Sequence, residues 1–275
     1  MSSDHMHDLS APEAGEAEPP NLSSKEIFHV IREEGEEELN RPNASLFWSG
    51  IAAGILISLS VLGEAIFRTY LPEADWAYLV ENLGYSFGFL AVILGRMQLF
   101  TENTITTVLP VVHERSASLL RRLAILWGIV LSANVVGAFF AALLMAHTSA
   151  IPAELIPAIE ALSRHATGFP PGEAFQRAIP AGLLVAAIVW MLPQADGFGF
   201  FVIVAFTWLI AAGDFTHIVA GSVEMAFLMV QGMLSPSDAV FNFFLPVLAG
   251  NVVGGTVIFA LLAFGQVRHE LNEDR

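Results

Sequence analysis

The chain has no cysteine. Disulfides, thiol nucleophiles and thiolate metal sites are excluded with it. Charge is scarce as well: Asp, Glu, Lys and Arg make up 14% of the 275 residues, while 55% are hydrophobic. Basic side chains are scarcest, 12 against 27 acidic ones, for a net charge of −15. That balance offers no basic footprint for nucleic acid. A soluble domain with a mean hydropathy of +0.61 would precipitate, so a multi-pass membrane protein is the expected class. Met1 to Pro20 lacks a basic stretch followed by an apolar run. No cleaved signal peptide is expected, and the first span acts as its own insertion signal.

What is present begins with a repetition. Asn-Val-Val-Gly occurs at Asn134–Gly137 and again at Asn251–Gly254. A Phe-Thr pair precedes each copy, at Phe100-Thr101 and Phe215-Thr216. The ordered recurrence implies two related halves. Four apolar stretches have single-span length: about 46–67, 123–146, 174–192 and 239–265. Two others, 77–112 and 198–231, would each form a helix of roughly 50 Å, against a hydrocarbon core of about 30 Å. Both carry polar residues near the middle, around Gly95-Arg96 and Gly213-Asp214. Irregular backbone at membrane depth survives only where protein buries it or a cavity wets it. Both segments are therefore expected to be broken helices.

The result is an all-α membrane protein with six segments in two inverted three-helix repeats, 43–147 and 173–266, with segments 2 and 5 broken. Segments 1 and 4 align weakly, Gly50–Gly54 over Ala178–Gly182. Residues 1–22 read as a disordered acidic tail, 23–42 as a cytoplasmic amphipathic helix, and 267–275 as a second tail. The solvated lead-in helix is the plainer reading of 24–39; docking on a neighbour is the other. Eight basic residues on one face against Arg68, Arg164 and Arg177 on the other place both termini in the cytoplasm. Residues 152–165 form either an outer roof helix or a connector.

His217 is the sharpest candidate, the single histidine inside a span. An ionisable group at that depth is a functional hypothesis by default, and imidazole can share a proton at cell pH. Thr101 and Thr216 are expected to open the two half-helices and cap their free N–H groups, where anions are favoured. Phe100 and Phe215 would flank the same point as apolar constrictions. Arg96, Glu102 and Asp214 either pair locally or line an anion path. Asn134 and Asn251 are expected to support the broken loops. Glu64 and Glu224 find no role in this scheme. Small residues at four-residue spacing, such as Gly50/Gly54 and Gly250/Gly254, fit close helix packing within or between subunits.

Leu99-Phe100-Thr101, Phe215-Thr216-His217 and Gly250-Asn251-Val252-Val253-Gly254-Gly255 together resemble the signatures of the formate/nitrite transporters. The resemblance covers about 44–265. It implies an aquaporin-like fold in a homopentamer in the bacterial inner membrane, with one pore per protomer. It also implies small monovalent anions or their neutral acids as permeants, with protons as partners and no cofactor. In that resemblance His217 faces Thr101 and assists protonation. Gly221 and Gly182 stand where the formate and nitrite branches often have Asn, and Arg96 and Glu102 bring unusual charges. The alternatives are a neutral-solute or water channel of aquaporin type, and a scaffold acting through the acidic N-terminal segment. No nucleophile–base pair is complete, so an enzyme is not expected.

Overall fold

The computed structural model describes residues 21–273. The acidic tail expected over 1–22 falls almost wholly outside them. Helix α1 (Ser24–Asn40) precedes α2 (Asn43–Tyr70), the first span. The second segment comprises α3 (Ala77–Leu94), a loop, α4 (Phe100–Thr106) and α5 (Val108–Glu114). Helix α6 (Ala117–His147) is the third span, α7 (Ile156–Thr167) a connecting helix, and α8 (Pro171–Gln194) the fourth span. The fifth segment is α9 (Gly199–Ala212), a loop and α10 (Ile218–Val230). Helix α11 (Pro236–Leu271) is the sixth, with two stretches wound as π-helix.

Both long segments break, and they break identically. Helix α3 ends at Gly95 and α9 at Gly213. The next residues, Arg96 and Asp214, adopt left-handed backbone, φ 52° and 56°. The following amides reach five residues back, Met97 N to Val92 O at 3.0 Å and Phe215 N to Ile210 O at 2.9 Å. This closes a helix end with orphan carbonyls satisfied, a geometry that usually selects Gly at the left-handed position.

Asn134 and Asn251 fix the loops that follow. Asn134 Oδ1 accepts from Phe100 N at 2.9 Å, and its Nδ2 donates to Gln98 O and Gly50 O, both at 2.8 Å. Asn251 Oδ1 accepts from Ile218 N at 2.7 Å, and its Nδ2 donates to Thr216 O at 3.1 Å and Ala178 O at 2.8 Å. These matched bonds define the repeat atom by atom. Gly50 corresponds to Ala178, so the weak alignment of segments 1 and 4 has the correct register. The two Phe-Thr pairs do not correspond. Phe100 matches Ile218, Leu99 matches His217, and Phe215-Thr216 matches Met97-Gln98. The apparent pairing is displaced by three residues.

The small-residue positions serve contacts within the chain. A Cβ on Gly54 would stand 2.1 Å from Asn134 O, and one on Gly254 2.0 Å from Ile179 O. Such backbone proximity brings each Asn within reach of its loop.

Helix α1 is not a solvated lead-in. Ser23 and Glu26 form a capping box at its start. Phe28 and Ile31 are fully buried, with Phe28 against Phe264 and His113. A Cβ on Gly35 would lie 2.1 Å from Thr106 O, so α1 rests directly on α4. Asn40 accepts a hydrogen bond from Arg122, fastening the other end to α6.

Candidate functional site

The two half-helices present their N-termini to one point. Neither threonine caps them. Thr216 donates from Oγ1 to Ala174 O at 2.9 Å, in the loop before α10. Thr101 lies one residue inside α4. The caps are the asparagines described above, and His217, whose Nδ1 accepts from Ala220 N at 3.3 Å. With Nδ1 an acceptor, a neutral imidazole carries its hydrogen on Nε2. That hydrogen points to Thr101 Oγ1, 2.8 Å away. Thr101's own O–H is then free to donate elsewhere. Both side chains are buried, and the ring of Phe89 meets the imidazole edge-on at 5.0 Å. Sequence reasoning gave no role to Phe89, which follows no motif.

A cavity opens on each side of this pair. On the α1 face lies one of about 850 Å³, walled by Glu33, Glu34, Glu37 and Glu38 of α1 and by Glu102, Asn103 and Thr106 of α4. On the far face lies one of about 160 Å³, lined by His217, Phe215, Thr216, Tyr85 and Phe243. Glu64 and Glu224 line it too, as does α7 through Leu162 and His165. Residues 152–165 therefore take part in a cavity wall. His217 borders the far cavity, and Glu102, adjacent to Thr101, borders the near one.

The three charges of the breaks do not pair with one another. Arg96 and Asp214 occupy equivalent positions and line different cavities. Arg96 binds Glu34 of α1 at 2.8 Å, with its side chain 80% exposed. Asp214 binds Arg177 and His165, both at 2.8 Å. Arg177, held over the ring of Phe169 at 4.3 Å, also donates to Asp214 O, which braces the α9–α10 loop. Phe100 is buried against Trp127, and Phe215 lines the far cavity.

A family model described as formate/nitrite transporter matches residues 25–265. The chain belongs to the formate/nitrite transporter family. The inner membrane protein YfdC of Escherichia coli (strain K12) is 44% identical over 249 residues, covering 90% of this chain and 80% of that protein. The uncharacterized transporter YrhG of Bacillus subtilis (strain 168) is 28% identical over 251 residues, covering 87% and 91%. A solved structure described as a pentameric formate channel with formate bound superposes with a TM-score of 0.72 at 21% identity. It covers 82% of this chain and 98% of the other. The fold is thus that of a membrane-spanning channel, and the family comprises channels and transporters rather than enzymes.

Two glycines shape the packing around the site. A Cβ at Gly182 would stand 2.2 Å from Asn251 O, so no larger side chain fits there without moving α11. A Cβ at Gly221 would meet the Phe243 ring at 2.4 Å. Phe243 thus packs where a side chain at 221 would otherwise project.

Proposed function

We propose that the protein is a pore for small monovalent weak-acid anions, formate first among them, which cross as the neutral acid past Thr101 and His217. One observation carries this reading: a buried Thr101–His217 hydrogen bond at the meeting point of two half-helices, with a cavity on either side. A bare anion stripped of water at this depth would be far costlier than its neutral acid. His217 assists protonation by fixing Thr101 Oγ1 as an acceptor, which leaves the threonine O–H to bind the permeant. The acidic walls of both cavities favour an uncharged traveller over a bare anion.

The assembly that fits this reading is a homopentamer in the bacterial inner membrane with both termini cytoplasmic. Its support is the likeness to a channel described as pentameric and to an inner membrane protein. Large apolar side chains on the outside of the helices, Trp48, Phe201 and Leu262 among them, suit lipid or neighbouring protomers. Full-length protein in proteoliposomes should take up labelled formate, acetate or nitrite faster as the outer pH falls. His217→Ala should lose most of that uptake. Equal flux in both proteins, with the oligomer intact, would remove His217 from the mechanism. Osmotic swelling with water or glycerol but no acid uptake would favour the neutral-solute channel.

A further inference from the structure

A neutral His217 that donates its Nε2 hydrogen to Thr101 has no spare proton to give. Losing that hydrogen would leave an imidazolate, so the permeant's proton must come from another group. The far cavity contains suitable donors. Glu64 projects from α2 and Glu224 from α10, 6% and 8% exposed, and both line the cavity that His217 borders. Among the described residues neither carboxyl makes a hydrogen bond or an ion pair.

The other charges around them are already engaged. Arg68, also on α2, pairs with Glu81 of α3 at 2.9 Å. Asp214 is held by Arg177 and by His165 of α7. On α7, Arg164 pairs with Glu160 at 2.8 Å. His147 of α6, the other large neighbour of α10, bonds Val230 O at 3.2 Å, and Asp238 of α11 bonds Ser235 and Asn242. The phenols of Tyr78 and Tyr85 on α3 complete the titratable wall. Arg68 and Arg177 thus make their ion pairs with other carboxylates, leaving Glu64 and Glu224 without a direct ion-pair partner among the described residues in a space of about 160 Å³.

We infer that Glu64 and Glu224 form the proton-loading site of the pore, delivering a proton to the permeant carboxylate in the far cavity before it passes His217. The step balances simply. The carboxylic acid of Glu224 gives its proton to an oxygen of the entering anion, yielding the neutral acid and a glutamate carboxylate. That carboxylate is re-protonated by Glu64, and Glu64 in turn from water at the far mouth. Two like charges confined together favour holding a proton between them. An anion enters beside them only when they do. This assignment rests on the weak-acid reading above and supplies its proton source.

The test uses full-length protein in proteoliposomes with labelled formate, from about pH 4 to about pH 8, a range that spans ordinary carboxyl and imidazole titration. Glu64→Gln, Glu224→Gln and Glu224→Asp are compared with the wild type. Each Gln variant should lose at least about tenfold in flux at neutral pH, the lower end for a proton-transfer group, and converge on wild type at the acid end. Glu224→Asp should retain the wild-type profile. Gln variants with unchanged pH profiles, or with faster flux, would overturn the assignment and make the carboxyls a mere barrier. Infrared spectroscopy is independent of permeant. The carbonyl band of a protonated carboxyl should persist at neutral pH in the wild type and weaken in each Gln variant, which separates it from Glu102 of the other cavity. A band absent from the wild type, or unchanged in both variants, would also overturn the inference. Wild type that conducts no weak acid at any pH defeats the function proposed above, and the infrared result alone then decides the proton site.

Discussion

At the residue scale, the two asparagines do more than any charged group to shape the site. Each uses its whole carboxamide, two donors and one acceptor, on three backbone groups of two segments, a broken loop and a neighbouring span. Asn251→Ala would strip the partner from Ile218 N and from Thr216 O, and each such orphan costs about 1–3 kcal/mol. The thermal midpoint of the detergent-solubilised protein should therefore fall sharply. Flux should fall with it, because Ile218 is the residue after His217. Thr101 makes a finer case. Thr101→Ser keeps the hydroxyl that pairs with His217 Nε2, whereas Thr101→Val removes it at nearly constant volume. The valine variant should lose about tenfold in formate flux, the equivalent of one buried hydrogen bond of about 1.4 kcal/mol. The serine variant should stay near wild type. Equal flux in all three would mean that the Thr101 hydroxyl does not touch the permeant.

At the scale of elements, α1 is the part that sequence reasoning valued least. Its contact with α4 is backbone against backbone at Gly35; of the apolar face read from the sequence as Ile27, Val30, Ile31 and Leu39, all but the exposed Val30 hold it there. What that face packs against was not legible, since amphipathicity gives an orientation and no partner. Gly35→Val should lift α1 from Thr106 and expose the α1–α2 junction to protease. Arg96→Ala should change little, because an exposed ion pair such as Arg96–Glu34 is worth about 0–1 kcal/mol. The cap of α1 also predicts a pH response. Ser23 holds Glu26 below its usual carboxylate range through side-chain and backbone hydrogen bonds. A carboxylate lowered in the folded state adds stability above its unfolded pKa and loses it as pH falls through the folded value. Amides at the start of α1 should thus lose hydrogen-exchange protection, relative to intrinsic rates, below about pH 4. Ser23→Ala keeps the backbone bond but loses the hydroxyl one, and should show a weaker transition.

The broken segments show the limits of sequence reading from the other side. Length against bilayer thickness revealed both breaks, and the doubled Asn-Val-Val-Gly revealed the duplication. Phe-Thr misled because two residues recur by chance where composition is so apolar. The true register is carried by backbone amides bound to Asn side chains, a relation that residue identity does not record. Leu99 and His217, the equivalent cap residues, share no chemistry. The same holds for Arg96 and Asp214, which share a left-handed backbone and opposite charges.

At the scale of the whole molecule, charge is distributed against the expectation for a conduit of bare anions. The cavity on the α1 face is walled by Glu33, Glu34, Glu37, Glu38 and Glu102, with Arg41 and Arg96 as the cations. Arg96 is spent on Glu34, and Arg41 on Glu38 at 3.2 Å. The remaining carboxylates leave a negative field in a wide, wet space, where added salt screens it over a Debye length of about 10 Å at 0.1 M. A neutral acid leaving on that side is indifferent to the field, but an anion entering from it is opposed. Formate efflux from the α1 face should therefore rise with ionic strength, whereas uptake from the far face should respond weakly. Replacing Glu33 and Glu37, the carboxylates of α1 in that wall with no ion pair among the described residues, with Gln should raise low-salt efflux toward the high-salt level and flatten its salt dependence. Oriented vesicles loaded at low and high salt would measure both directions. If efflux proves insensitive to salt in both proteins, the acidic wall has no part in selecting the traveller, and its role is confined to holding α1 against the pore.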